Sequence, residues 1–537
     1  MTTSSPEQRT ALPMAPKVDA GIDYQRFLDC VHCGLCTASC PTYVELGTEM
    51  DGPRGRIYLM RAVTDGRLDL TEEVRHHLDL CLDCRACETA CPSGVQYGQL
   101  IEPFRAHMNK TRPSAEKLPW LQRLLLFQVT PSARRTRWAL APARFLQWTG
   151  LDRKVQQWGL LNLLPAFARQ LHEMLPPKLQ KDHGGLPEVL PAVGKRRARV
   201  ALFLGCAGDA FFPETNLNTA RVLQKNGCEV WIPPTQACCG ALHYHAGEEA
   251  PARSYAAANC DAFNILDDEA PALDAVISNA AGCGAMLKDY GHLLHDTPAA
   301  KHGAAFAGKV KDVSEFLMEL GPIKPQHPLP FKKAVYHDAC HLCHAQQIRK
   351  QPRQLLDLIP GLKVVPLNES EICCGAAGSY NITQPEMAER LGQRKAQHII
   401  DTEAEAVFTG NVGCLLQVGR YLRKQGKDVW VGHPIDALWA SYSGGVTAAT
   451  AAPIFTKSVS PAGKSTLDTI SLQLPISGEE KPAVGSVSLS LPPVEQPPAA
   501  EKPPVIKQDD PPIEEFVSKL SSKDFMDLDE LGGGKKG

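Results

Sequence analysis

CVHCGLCTASCP at residues 30–41 and CLDCRACETACP at residues 81–92 decide how this chain is read. Both runs space their cysteines C-x2-C-x2-C-x3-C and close on proline, so Cys30, Cys33, Cys36 and Cys40 correspond to Cys81, Cys84, Cys87 and Cys91. Three thiolates separated by two residues each wrap one face of a cubic [4Fe–4S] cluster, and the fourth reaches a second cube. That rule predicts one cluster on Cys30, Cys33, Cys36 and Cys91, and another on Cys40, Cys81, Cys84 and Cys87. A zinc site closes on four thiolates and has no use for two interleaved sets of four. Proline after the last cysteine turns the chain away, while Gly34, Ala38, Ala86 and Ala90 leave room for backbone N–H groups near sulfur.

The surrounding sequence sets the frame. The chain has 537 residues, 43% of them hydrophobic, which is enough for more than one core. A formal charge of −2 gives no global field to gather nucleic acid. The N-terminal tail, residues 1–20, lacks the basic-then-apolar layout of an export signal. A cytoplasmic chain with 19 cysteines is therefore expected to use them for metal rather than disulfides. No stretch reads as a membrane span: 155–168 is short and interrupted, and 437–456 is crowded with Ser, Thr, Gly and Pro.

Beyond residue 200 the sequence repeats itself. ALFLGC (Cys206), ACCGALHYH (Cys238, Cys239) and NAAGCGAM (Cys283) return as AVYHDAC (Cys340), ICCGAAGSY (Cys373, Cys374) and GNVGCLLQ (Cys414). The offsets of 134, 135 and 131 residues are nearly constant, as a duplication requires. The first and last cysteine of each copy follow short apolar runs, as at strand ends, and open α/β sheets bind ligands at such ends. These eight cysteines are candidates for a further cluster, another metal or a redox role, with buried inert thiols as the alternative. Cys228, Cys260 and Cys343 have no counterparts and read as structural. His243, His245, His337, His341 and His344 lie beside the repeated cysteines and are open to ligand, proton-donor, core or solvated roles.

Taken together, CVHCGLCTASCPTY, DGPRGRIYLMR, CLDCRACETACPSGVQYG, CCGALHYH, NAAGCGAMLKDYG, CCGAAGSY and NVGC resemble the iron–sulfur subunits of bacterial glycolate oxidases over about residues 21–440. Lactate-utilisation proteins and the iron–sulfur subunit of anaerobic glycerol-3-phosphate dehydrogenase share the architecture. The resemblance implies an α+β and α/β multidomain chain with a helical bacterial-type two-cluster ferredoxin domain (21–110). Composition and the duplication set off a basic linker (111–200), two CCG repeats (201–330 and 331–445) and a Pro-rich tail (446–537) to which the resemblance does not extend. It also implies an electron-transfer subunit with no catalytic residue of its own. Flavin-containing partner subunits would oxidise glycolate to glyoxylate, and electrons would pass to a quinone or other respiratory acceptor. The absence of a Gly-rich dinucleotide loop agrees with that division. The CCG copies also resemble the CCG-bearing subunit of heterodisulfide reductase, whose motif ends C-x-x-C. Here Met286 and Gln417 replace that last cysteine. A heterodisulfide-reductase-like catalyst and a non-enzymatic iron–sulfur scaffold are the rival functions.

Two segments stand apart in composition. Residues 111–200 carry 16 Lys and Arg against 5 Asp and Glu, with four of the seven tryptophans and no cysteine. Such a helical segment suits three uses: a platform for partner subunits, peripheral contact with the inner face of the cytoplasmic membrane, or a cover for the CCG half. Residues 446–537 hold 12 prolines and no Cys, Trp, Tyr or His, which predicts disorder apart from a nascent helix at 513–531.

Overall fold

Short runs of β-branched and apolar residues build two parallel sheets in the C-terminal half. The computed structural model describes residues 21–444 apart from 159–162, 164–165, 181–183 and 268–270. Both terminal tails, with the expected helix at 513–531, lie outside the described residues. The first sheet holds β1 (Val189–Leu190), β2 (Ala198–Phe203), β3 (Cys228–Trp231), β4 (Ala275–Ser278) and β5 (Val310–Asp312). The second holds β6 (Lys333–Tyr336), β7 (Lys363–Val365), β8 (Ala406–Phe408) and β9 (Trp430–Gly432). Their orders, β1-β3-β2-β4-β5 and β7-β6-β8-β9, are the same once β1 is set aside. The duplication seen in the cysteines is thus a duplication of topology. β1 adds an antiparallel edge through Val189 and Trp231, a strand too short to leave any periodicity in the sequence.

Alternation along the strands sorts the cores. Val200 and Leu202 join Ala334, Tyr336 and Phe408 in one cluster shared by both repeats, while Ala201 and Phe203 face the opposite side. Val335 and Val407 anchor a third cluster on the far side of the second sheet. In each sheet the chain leaves the first strand in one direction and returns on its other side, between β2 and β4 or between β6 and β8. Such a reversal opens a crevice at the carboxyl ends of those two strands. Cys206 and Cys340 follow the first strand of each pair, and Cys283 and Cys414 lie in the helices after the second.

Residues 21–111 form no strand among the described residues. Pro53–Thr64 starts on Gly52 and Pro53, whose fixed φ suits a first helical turn, and buries Ile57, Met60 and Val63. Glu72–Asp79 is capped by the Thr71 hydroxyl, which accepts from Val74 N–H at 3.3 Å. These helices pack with Gly98–Thr111 around Phe27, Leu78, Leu100 and Phe104.

The basic linker folds into short helices, Trp120–Leu124, Ala133–Ala139, Ala141–Thr149, Leu151–Gln157 and Ala166–Met174. Arg137 meets Asp209 at 2.6 Å, Arg123 meets Glu248 at 3.0 Å, and Glu173 receives Arg420 at 2.6 Å. The linker therefore packs on the CCG half through ion pairs of both senses, while Arg134 and Arg135 face solvent. Its tryptophans point outward: Trp120, Trp138 and Trp148 are 76%, 73% and 83% exposed. No helix among the described residues is long and apolar enough to cross a membrane.

Candidate metal centres

The two N-terminal cysteine loops share a backbone conformation that ordinary residues avoid. His32 and Gly34 flank Cys33 at φ 55° and 81°, and Asp83 and Arg85 flank Cys84 at φ 52° and 61°. Left-handed residues on both sides of the middle cysteine curl each loop so that N–H groups turn toward sulfur. Asp83 N–H lies 3.4 Å from Cys81 Sγ, and the Tyr97 hydroxyl lies 3.6 Å from the same sulfur. Three non-glycine residues in this region mark a conformation the surrounding fold must hold in place.

The N-terminal sulfurs lie close to one another. Cys30 has Cys91 and Cys33 as charge neighbours, and Cys36 has Cys30 and Cys40. Cys87 has Cys84, Cys81 and Cys40. The first set opens to solvent at Cys33, whereas Cys40 and Cys81 of the second are buried. Burial, with neighbouring thiols adding to it, pushes Cys84 and Cys87 well above the usual thiol range, and burial lifts Cys36 to about 11. Thiols raised in this way, Cys84 and Cys87, ionise on binding a metal cation rather than in the empty chain. Around the second set lies a small cavity of about 20 Å³ lined by Cys40, Cys81, Cys84, Cys87, Arg56 and Tyr97. Sulfur donors and inward N–H groups are the chemistry an iron–sulfur cube needs. Arg56, 1% exposed, brings a fixed positive charge to the cavity wall.

The repeated cysteines also gather, each set at its crevice. Cys206 and Cys238 sulfurs are 3.4 Å apart, Cys239 and Cys283 3.5 Å, and Cys340 and Cys373 4.0 Å. Cys374 meets Cys414, which also receives the Asn411 amide at 3.6 Å. All 19 thiols are free. The glycine of each CCG is obligatory. Gly240 and Gly375 sit at φ 87° and 84°, and a Cβ there would press on Ala252 at 3.2 Å and on the Ala388 carbonyl at 2.9 Å. Cys228 lies in β3, Cys260 in the helix Glu249–Phe263, and Cys343 in the turn after Cys340.

Residues 26–95 match the family described as 4Fe-4S dicluster domain, and residues 200–288 and 334–419 match the cysteine-rich domain. Residues 117–175 match a third family, described as the linker region of the glycolate oxidase iron-sulfur subunit. The chain is 41% identical over 433 residues to the probable glycolate oxidase iron-sulfur subunit of Bacillus subtilis (strain 168), covering 79% of this chain and 95% of that one. It belongs to the glycolate oxidase iron–sulfur subunit family. The glycolate oxidase iron-sulfur subunit of Escherichia coli (strain K12) is 36% identical over 72% of this chain and 88% of its own. Lactate utilization protein A of Oceanobacillus iheyensis is 30% identical but covers only 46% of this chain, against 99% of its own. Iron–sulfur clusters are the cofactors that go with these domains.

In this family member the five histidines divide by role. His341 bonds the Asp83 carbonyl at 2.9 Å, and His344 bonds Thr89 at 3.1 Å and the Glu371 carbonyl at 3.2 Å, so both tie the CCG half to the second cysteine loop. His243 packs between Phe127 and Tyr255. His337 bonds the Ser370 carbonyl at 3.0 Å and otherwise faces sulfur. His245 meets Glu102 at 2.9 Å and Asp83 at 3.1 Å, inside a buried group with Arg85 and Arg105. Sequence reading did not anticipate this group. Its only trace was the pair of charges inside CLDCRAC.

The group gives the junction a pH dependence. Burial opposes charge on His245, but hydrogen bonds and charges from Asp83 and Glu102 outweigh it and lift the imidazole to about 9. A folded-state value above the ordinary 6.5 means stabilisation that is complete below pH 6.5 and lost as pH rises through 9. The expected loss between pH 7 and 10 is on the order of 3 kcal/mol. Thermal midpoints of the anaerobic chain should fall over that window, and His245→Gln should flatten the curve. Parallel curves for both proteins would contradict the assignment.

Proposed function

We propose that this chain is the electron-transfer subunit of a glycolate-oxidising complex, receiving electrons from a partner catalytic subunit that carries the flavin and passing them to a respiratory acceptor. Cys30, Cys33, Cys36 and Cys91 hold one [4Fe–4S] cluster, and Cys40, Cys81, Cys84 and Cys87 hold the other. Loaded, such clusters take up and release one electron at a time.

One observation carries this reading: the second cysteine set adjoins the CCG half, and the first opens to solvent at Cys33. Cys340 is the strongest charge neighbour of Cys84, and Leu82 packs with Cys373 and Cys340. The loops bearing Cys283 and Cys414 are bonded to each other, Ala281 N–H to the Gly410 carbonyl at 2.9 Å and Gly282 N–H to Asn411 at 3.3 Å. Leu82, Tyr380 and Met387 exclude water along this path, so added negative charge is met by N–H groups and Arg56 rather than solvent. The exposed faces of Trp138 and Trp148 supply the docking surface for the partner, since aromatic side chains anchor interfaces.

The test uses the complex purified anaerobically with the products of adjoining genes. Glycolate should bleach its visible iron–sulfur absorption, and the isolated chain should show no response. Trp138→Ala with Trp148→Ala should release the partner, at about 2 kcal/mol or 30-fold in affinity for each anchor. Bleaching by D-lactate but not by glycolate would move the assignment to another hydroxy acid, and bleaching of the isolated chain would refute the division of labour.

A further inference from the structure

The two CCG cysteine sets share spacing and topology but not their nitrogen chemistry. Three residues before Cys340, at the end of β6, stands His337; three residues before Cys206, at the end of β2, stands Phe203. His337 is fully buried. Its Nδ1 bonds the Ser370 carbonyl at 3.0 Å, which requires the proton on Nδ1 and leaves Nε2 with a free lone pair. That Nε2 has no hydrogen-bond partner. A ring nitrogen of His337 and the sulfurs of Cys374 and Cys414 all lie within 4.8 Å of one another. A backbone carbonyl holding one imidazole nitrogen so that the other faces outward is the usual support of a metal-ligating histidine.

We propose that His337 Nε2 is a metal ligand beside Cys374 and Cys414, making the second CCG site a mixed nitrogen–sulfur centre while the first, with Phe203 in that place, is sulfur-only. The inference rests on the CCG cysteines binding metal and needs nothing from the two N-terminal clusters. On loading, Cys374 and Cys414 each lose a proton, whereas His337 binds as the neutral imidazole and loses none.

The ligand replaces what the sequence lacks. Gln417 occupies the position of the final motif cysteine, and its side chain is turned away, donating to the Ala388 carbonyl at 3.2 Å and accepting from Asn381 at 3.3 Å. There is a second asymmetry. Gly240 packs on Ala252 and Gly375 on Ala388, which makes Asn259 and Lys395 equivalent, each seven residues further on. Buried Lys395 has Cys374 and Cys373 as its charge neighbours and donates to the Glu369 carbonyl. Each site keeps four thiolates, so the imidazole adds no charge, while an ammonium in place of an amide reduces negative charge at the second site and favours its reduction. The second CCG site is therefore the more readily reduced of the two.

The full chain, purified anaerobically, tests this by iron and zinc content and by spectroscopy. Cys374→Ala with Cys414→Ala should remove the second site's metal and leave the eight irons of the N-terminal clusters, a count that fails only if the proposed function fails. His337→Phe, the residue the first copy carries, should lose at least half of that same metal, and His337→Cys should restore it. Nitrogen hyperfine coupling from 15N-histidine in an iron centre, or a nitrogen shell at the zinc edge, should be present in the native chain and absent from His337→Cys. Native metal content in His337→Phe with an unchanged spectrum would overturn the proposal. So would equal metal in the native chain and the double cysteine variant.

Discussion

A Cys84→Ser chain should contain about four fewer irons and deliver electrons at less than a hundredth of the native rate. Cys84 is the sulfur with neighbours on both sides, Cys40 and Cys81 within its own set and Cys340 beyond it. A serine hydroxyl keeps the volume but gives a harder and far less acidic donor, so the second set loses or converts its cluster. The partner's own chemistry does not pass through this residue, and glycolate oxidation with a dye that accepts electrons directly from that subunit should continue. The two assays together separate a broken path from a broken complex. Turnover to the physiological acceptor above a tenth of native would mean that electrons bypass the second set.

Arg56→Met should have the largest effect on stability. The Arg56 guanidinium donates to the His77 carbonyl at 2.7 Å and to Thr42 at 3.0 Å, and it lies 3.8 Å from Asp51 and 3.9 Å from Cys40 sulfur. Methionine fills the space without any donor, leaving Asp51 buried with His77 as its remaining partner at 2.9 Å. Breaking a buried ion pair by removing one member costs about 3–5 kcal/mol. The denaturation midpoint of the loaded chain should fall accordingly. Removal of a positive charge from the cavity wall should also lower the reduction potential of the cluster on the second set. Arg56→Lys should recover part of the potential but little of the stability, because an ammonium cannot reproduce the fork. A potential unchanged in both variants would show that the charge is screened from the sulfurs.

What the sequence made legible follows from which signals repeat. A constant offset between copies carries over to the sheets, so the strand-end positions of Cys206, Cys283, Cys340 and Cys414 were readable in advance. The junction was not. His245 and Glu102 are 143 residues apart, and His341 and Asp83 are 258 apart, with no periodicity linking them. The five histidines looked alike as letters. His337 is distinguished from the rest by the Ser370 carbonyl 33 residues later, a contact that only the folded second sheet creates. DGPRGR supplied the resemblance, but its physical content, Arg54 bonding the His32 carbonyl at 2.9 Å and Arg56 walling the cavity, appears only in three dimensions.

The enclosure of the second set also orders events in the life of the chain. Tyr380 reaches over from the CCG half to bond the Leu80 carbonyl at 2.9 Å, and Leu82 is seated against Cys373 and Met387. With the halves closed in this way, Cys40 and Cys81 are shut away from solvent. Metal loading is therefore expected to be faster before the halves close, and a chain closed empty should reconstitute slowly with added iron and sulfide.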